Sequence, residues 1–306
     1  MQIHSAYINE HPNITLTSSI RRSIKGHEAS LIGLSVIEHD PSSALAQDYY
    51  DVSSQIINII NDLSFITLMA KLTTGEILDD SGNPIPGTGF EYDSDGRVAE
   101  LLAQRITPVM YSPPQGEWAW MIPDESNGDN ERGVAVAPAG NKGPQVHYHP
   151  NFDELFKGVS GTFVLEADGE EVILEAGEEF MVKKGVVHSF RCIGDDGTHG
   201  VLVAETYPGL GFLEFLYNAF GLAIEGKAKP TGDLKILQLM VMMRGFRTSS
   251  GVTGGDLLIP VPPGPTVLAI MSRILAPLGR LLGHKPDYPH YRETEFWEKH
   301  INQPPK

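Results

Sequence analysis

The chain has 306 residues, 41% apolar and 20% charged, with 32 glycines and 22 prolines, so it can bury a real core and is not low-complexity. Lys and Arg number 23 against 39 Asp and Glu, and the formal charge of −16 excludes general nucleic-acid binding. One cysteine, Cys192, excludes an intrachain disulfide and a multi-thiolate zinc site; with no signal-like or membrane-length apolar run, a reducing, cytoplasmic setting is expected.

Three compositional zones follow one another. The first, residues 1–105, reads as a helical extension without visible chemistry. Tyr49, Val52, Ile56, Ile59, Ile60, Leu63, Ile66 and Leu72 recur at helical steps and predict an amphipathic helix capped by Asp48 or Asp51. After Gly75 a stretch dense in Asp, Gly, Pro and Ser reads as a long loop to Gly96, followed by a short helix over Val98 to Gln104.

The second zone, residues 106–208, changes to short β-type runs: Glu117–Ile122, Val134–Ala137, Glu154–Phe156, Thr162–Ala167, Glu171–Leu174, Glu179–Val182, His188–Cys192 and Val201–Thr206. Asp168 and Gly169, between two alternating runs, mark a hairpin turn. Strands of this length and spacing predict a closed barrel or a two-sheet jelly roll.

The third zone, residues 209–306, returns to helical spacing. Phe212, Phe215, Leu216, Ala219 and Phe220 share a face, Asp233 is expected to cap a second helix through Met243, and a third runs from Thr266 toward Leu282, kinked or broken at Pro277. The apolar helices near Phe212–Phe220 and Leu234–Met243 predict a homodimer interface. The last helix, 266–282, is expected to pack on the barrel or a partner subunit with Arg273 and Arg280 outward; peripheral membrane contact through it is the weaker alternative.

The chemistry sits in the second zone. On a strand, His147 and His149 point the same way, about 7 Å apart along the backbone, and two imidazoles on one face can grip one ion. Glu154 arrives on the next strand and His188 on a later one, after Gly177 and Gly185. Three neutral imidazoles and a carboxylate with open positions suit one divalent transition metal: iron, nickel, copper, manganese or zinc. Phe156 and Phe190 share parity with Glu154 and His188 and are candidates for an apolar substrate pocket; Cys192, four residues after His188, is a third, although an inert buried thiol is its default. Tyr148 points away and reads as packing. His199, in a turn-rich segment, reads as exposed, and surface roles are the default for His4, His11, His27, His39, His284, His290 and His300.

These two stretches resemble the two sequence motifs of the cupin superfamily. The first motif is matched by His147, His149, Glu154 and Gly161, the second by Gly177, Gly185 and His188. Lys183 stands where the second motif usually has proline and Cys192 where it often has asparagine, and Gly140 and Gly143 straddle the place of the first motif's opening glycine. The resemblance implies a mainly β fold, a cupin-type jelly-roll β-barrel with flanking α-helical extensions, and a metal held by the three histidines and Glu154.

The function expected on this basis is a metal-dependent, dioxygenase-like oxygenase acting on a small, largely apolar aromatic or enolic substrate. Glu154 serves as ligand or as general base. A non-catalytic small-molecule-binding or regulatory protein with a structural metal is the alternative, and its transcriptional version lacks a basic DNA-reading element here.

Overall fold

The computed structural model describes residues 46, 47, 51, 71–94, 96–124 and 129–305. The chain divides into two compact units, Met1–Ala70 and Lys71–Lys306. In the first, Ala46, Gln47 and Asp51 are helical, and Gln47 Nε2 donates to Asp51 Oδ1 at 2.9 Å. Asp51 thus lies within a helix and does not cap one. Asp48, Tyr49 and the stripe from Val52 to Ile66 lie outside the described residues. Leu72 does not belong to it: strand β1 (Lys71–Thr74) pairs with β2 (Phe90–Asp93), and Leu72 faces solvent. The expected loop from Gly75 to Gly96 therefore contains a strand. Helix α1 (Arg97–Ala103) follows within a residue of its expected span.

Ten strands build the barrel: β3 (Met110–Ser112), β4 (Glu117–Ile122), β5 (Glu131–Pro138), β6 (His147–Tyr148), β7 (Asp153–Ser160), β8 (Thr162–Ala167), β9 (Glu170–Leu174), β10 (Glu179–Val182), β11 (His188–Ile193) and β12 (His199–Tyr207). With one further strand they pair antiparallel as a six-stranded sheet, β10-β7-β12-β5-β4-β3, and a five-stranded one. The latter runs β13-β6-β11-β8-β9, with β13 (Ile259–Pro260) coming from the third zone. Ala137, Phe156, Val182 and Leu202 from one sheet meet Phe163, Leu165, Leu174 and Cys192 from the other, which makes a jelly roll with one apolar interior. Asp168 and Gly169 take φ of +54° and +83°, the paired positive values of a two-residue hairpin turn, between the partnered Ala167 and Glu170.

The six-stranded sheet is covered on its outer face as well. Trp118, Trp120, Val134, Val136, Val201 and Val203 point outward, where Phe90, Leu101, Leu102, Phe220, Trp297 and Ile301 bury them. That is why all six residues of Glu117–Ile122 are buried and the strand reads as an unbroken run. Residues 71–105 and the third zone thus share a core with the barrel.

Helix α2 (Phe212–Ile224) and helix α3 (Ile236–Gly245) bury Phe212, Phe215, Phe220, Met240 and Val241 against this unit. Those faces were expected at a dimer interface; packing within the chain consumes them instead. Asp233 is not the cap of α3. Lys235 holds that position, and the Asp233 carboxylate accepts from Thr231 Oγ1 at 2.7 Å.

After the single-turn helix α4 (Gly254–Leu257), helix α5 (Pro265–Leu281) runs through Pro277 without a break. Proline forfeits one backbone donor there. Two residues on, Gly279 lets α5 close onto α3, because a Cβ at that point would lie 2.7 Å from Val241 Cγ2. Leu268, Ala276 and Gly279 are the buried side of α5, and Arg273 and Arg280 are exposed. No helix of the described residues is long and apolar enough to cross a membrane.

Candidate metal centre

Both sheets contribute to the centre. On the five-stranded sheet His147 of β6 stands opposite His188 of β11, and His149 follows directly after β6. Glu154 comes from β7 of the other sheet, where it pairs with Thr206 and Val182. The strand alternation that predicts His147 and His149 on one side holds: their ring centroids are 4.8 Å apart, His147 and His188 are 4.5 Å apart, and His149 and His188 5.1 Å. One ligand atom from each of His147, His149, Glu154 and His188 lies within 4.8 Å of the others, and all four residues are at most 6% exposed.

The approach to the site depends on a tight crossing. Gly143 has φ +64°, and a Cβ there would fall 1.5 Å from the Phe190 carbonyl oxygen, so only glycine lets this segment pass under β11 on its way to His147. Lys183, in the motif's proline position, pairs with Asp153 at 2.9 Å, while Lys184 N and Gly185 N donate to Asp153 Oδ1 and the His149 carbonyl. Hydrogen bonds thus shape this turn in place of a proline ring.

The donor chemistry tests whether an ion fits. His147 Nδ1 faces the Gln145 carbonyl at 2.7 Å, His149 Nδ1 the Leu257 carbonyl at 2.6 Å and His188 Nδ1 the Val186 carbonyl at 2.9 Å. A carbonyl only accepts, so each Nδ1 carries the hydrogen, and a neutral ring then presents Nε2 as a lone pair. Yet His149 Nε2 and His188 Nε2 lie 3.1 and 3.0 Å from the same Glu154 oxygen, Oε2. Lone pairs facing a carboxylate repel unless a proton or a cation lies between them. Two donors each about 2.1 Å from one ion and at right angles are about 3.0 Å apart, so the observed spacing suits a shared metal. Backbone acceptors on the distal ring nitrogens are also what orients metal-ligating histidines.

Without an ion, a proton between these atoms takes its part. Burial, together with its two histidine neighbours, holds His147 well below the usual histidine range, so it stays neutral. For Glu154, burial pushes upward, but the charges and hydrogen bonds of His149 and His188 prevail and keep the carboxylate ionised. Burial is the largest single influence on His188 and pulls it down, but the hydrogen bond and charge of Glu154 and the Val186 carbonyl together leave it raised.

A cavity of about 200 Å³ opens beside the cluster and is lined by both His147 and Glu154. Phe156 and Phe190 line it as their parity implied. Cys192 does not, which corrects its place among the pocket candidates. Its Sγ packs into the interior, where a Cβ on Gly200 would lie 2.7 Å from it, and burial raises its thiol pKa. Tyr148 packs outward among Met240, Ile259 and Leu268. His199 is half-buried edge-on to Trp118, with ring centroids 5.4 Å apart, and lies outside the cluster. His4, His11, His27 and His39 lie outside the described residues. His284 reaches Gln238 across 46 residues, His300 hydrogen-bonds the Phe296 carbonyl one turn back, and His290 is exposed.

Sequence reasoning missed two parts of the cavity. One wall is built by the third zone, through Phe212, Phe215, Leu234, Leu258 and Pro260. The other is polar lining away from the histidines, which includes Ser112, Gln115 and Glu117. Glu117 shares parity with the inward Ala119 and Met121, and burial pushes its carboxyl up to about 7. The one local signal was an acidic residue heading an otherwise apolar strand.

The barrel is a cupin domain: residues 133–204 match the family model described as "Cupin domain". Among characterised relatives, quercetin 2,3-dioxygenase of Bacillus subtilis (strain 168) is 30% identical over 99 residues, a stretch that covers 32% of this chain and 28% of the relative's length. Among solved structures, an RmlC-like cupin from Shewanella frigidimarina is 24% identical, with 35% of this chain and 89% of that one covered and a TM-score of 0.30. A predicted oxalate decarboxylase from Thermotoga maritima is 21% identical, with 34% and 93% covered and a TM-score of 0.29.

Proposed function

We propose that the protein is a metal-dependent cupin oxygenase of dioxygenase type, acting on a small, largely apolar aromatic or enolic substrate. The observation that carries this reading is the convergence of three neutral-capable imidazoles and one carboxylate on the wall of a cavity otherwise dominated by Phe156, Phe190, Phe212 and Phe215. The partial likeness to a quercetin dioxygenase supports it. His147, His149, Glu154 and His188 would hold one divalent transition ion, which supplies Lewis acidity and access to redox chemistry when bound. The apolar walls select a planar, poorly hydrated substrate and keep bulk water out. Glu154, which lines the cavity, would serve as ligand or, when released from the ion, accept the proton of an enolic hydroxyl.

Metal analysis of the purified protein, followed by oxygen uptake over a panel of flavonols, catechols and diketones, tests this. Uptake by at least one class is expected, together with loss of the metal in the double variant His147→Ala/His149→Ala. Full metal occupancy with no uptake would favour a non-catalytic binding role.

We also propose a cytoplasmic homodimer. The surface for it is the outer side of α5, where Val267, Ile270, Ile274, Leu278 and Leu281 are exposed along one stripe. Light scattering at micromolar concentration should show twice the 33.4 kDa chain mass. A monomer that sediments with anionic vesicles would assign the stripe to a membrane surface instead.

A further inference from the structure

Glu117 is a carboxyl group, 7% exposed, on the wall of the cavity. Among the described residues it has no hydrogen-bond or ion-pair partner, and burial alone acts on its proton affinity. Buried polar groups are nearly always satisfied, so a carboxyl that the protein leaves unpaired and turns toward an empty space is one that a ligand can complete. Its neighbours are polar too. Ser112, directly opposite on β3, donates from Oγ to Gln115 Oε1 at 2.8 Å, and both residues line the same cavity.

The patch is separate from the metal cluster yet within reach of it. In the six-stranded sheet β12 and β5 stand between the strands of Glu154 and Glu117. Gln115 Nε2 contacts the Gly143 carbonyl at 3.5 Å, and Gly143 precedes His147 by four residues. Four residues of extended chain span at most about 13 Å, a length that a planar molecule of two or three rings can bridge.

We propose that Glu117, with Ser112 and Gln115 beside it, forms a second recognition point that takes a hydroxyl group of the substrate distant from the atoms presented to the metal. This rests on the reading of the site as one for an aromatic, oxygen-bearing substrate and names what the substrate must carry at its far end. Protonated, the carboxyl donates to an oxygen; ionised, it accepts from a hydroxyl. A purely apolar far end would leave it unpaired and bind less well.

Quercetin and galangin share their fused hydroxy-carbonyl rings, but only quercetin carries hydroxyls on the pendant ring, so their affinities separate the two ends of the site. Calorimetry on the full chain loaded with redox-silent zinc should give quercetin an advantage of roughly tenfold or more. Glu117→Leu should erase that advantage by weakening quercetin alone, with zinc stoichiometry unchanged, and Glu117→Gln should retain it. Equal binding of the two flavonols by the unmodified protein, or a preference that survives Glu117→Leu, overturns the subsite and leaves the metal reading standing. Binding of neither flavonol overturns the substrate class and the subsite together.

Discussion

Two buried carboxyl groups line one cavity and behave in opposite ways. Glu154 is held low by His149 and His188, whereas Glu117, equally sequestered, is pushed up to about 7. Both suffer the same desolvation, which penalises the charged form. What separates them is company: two imidazole nitrogens within 3.1 Å of one oxygen in the first case, none among the described residues in the second. One cavity thereby offers an anionic site suited to a cation and a protonatable site suited to a neutral polar group. Partners, not depth, assign the role of a buried acid.

The most severe way to break the contrast is to take a partner away. His188→Leu should bring metal stoichiometry from one toward zero and, in metal-free protein, cost about 3–5 kcal/mol in urea unfolding at neutral pH, since a buried charge loses its counterpart. Stability within about 1 kcal/mol of the parent would show that the histidine does not govern Glu154.

A smaller effect comes from removing the charge of the other acid. Glu117 binds its proton more tightly folded, near 7, than unfolded, near 4.5, so the parent loses stability as pH rises between those values, and the full penalty applies above them. Glu117→Gln carries no such penalty. Its stability relative to the parent should therefore improve from pH 4 to pH 8 by up to roughly 3 kcal/mol, as read from denaturant midpoints at each pH. A constant difference across that range would contradict the raised carboxyl. The mildest probe is Ser112→Ala, which removes the hydrogen bond to Gln115 and should cost about 1 kcal/mol without altering metal content or that pH slope.

The metal cluster was legible because strand alternation and turn glycines are local facts. His147 and His149 needed only parity, and Gly177, Gly185 and His188 kept their spacing. Glu117 was not, because nothing near it in the chain refers to His147; the cavity exists only once β4 and β6 lie in facing sheets. The same holds for Phe212 and Phe215. Their helical periodicity announced a buried face but not whether this chain or a second copy would cover it. Leu72 failed for a different reason: its place in the helical stripe depended on a gap of six residues after Ile66, too loose a step to fix a period. Asp233 was misread because a short polar side chain before an apolar run caps a turn as readily as a helix, and here it holds Thr231.

The pairing of His149 with the Leu257 carbonyl, 108 residues further along, sets an order on biosynthesis. Every candidate ligand has been made once residue 188 leaves the ribosome. At that moment β6 still lacks its neighbour β13, the His149 ring lacks the acceptor that fixes its tautomer, and the cavity lacks the wall from Phe212 to Pro260. A nascent barrel therefore has the donors for an ion before it has the geometry to hold one in place.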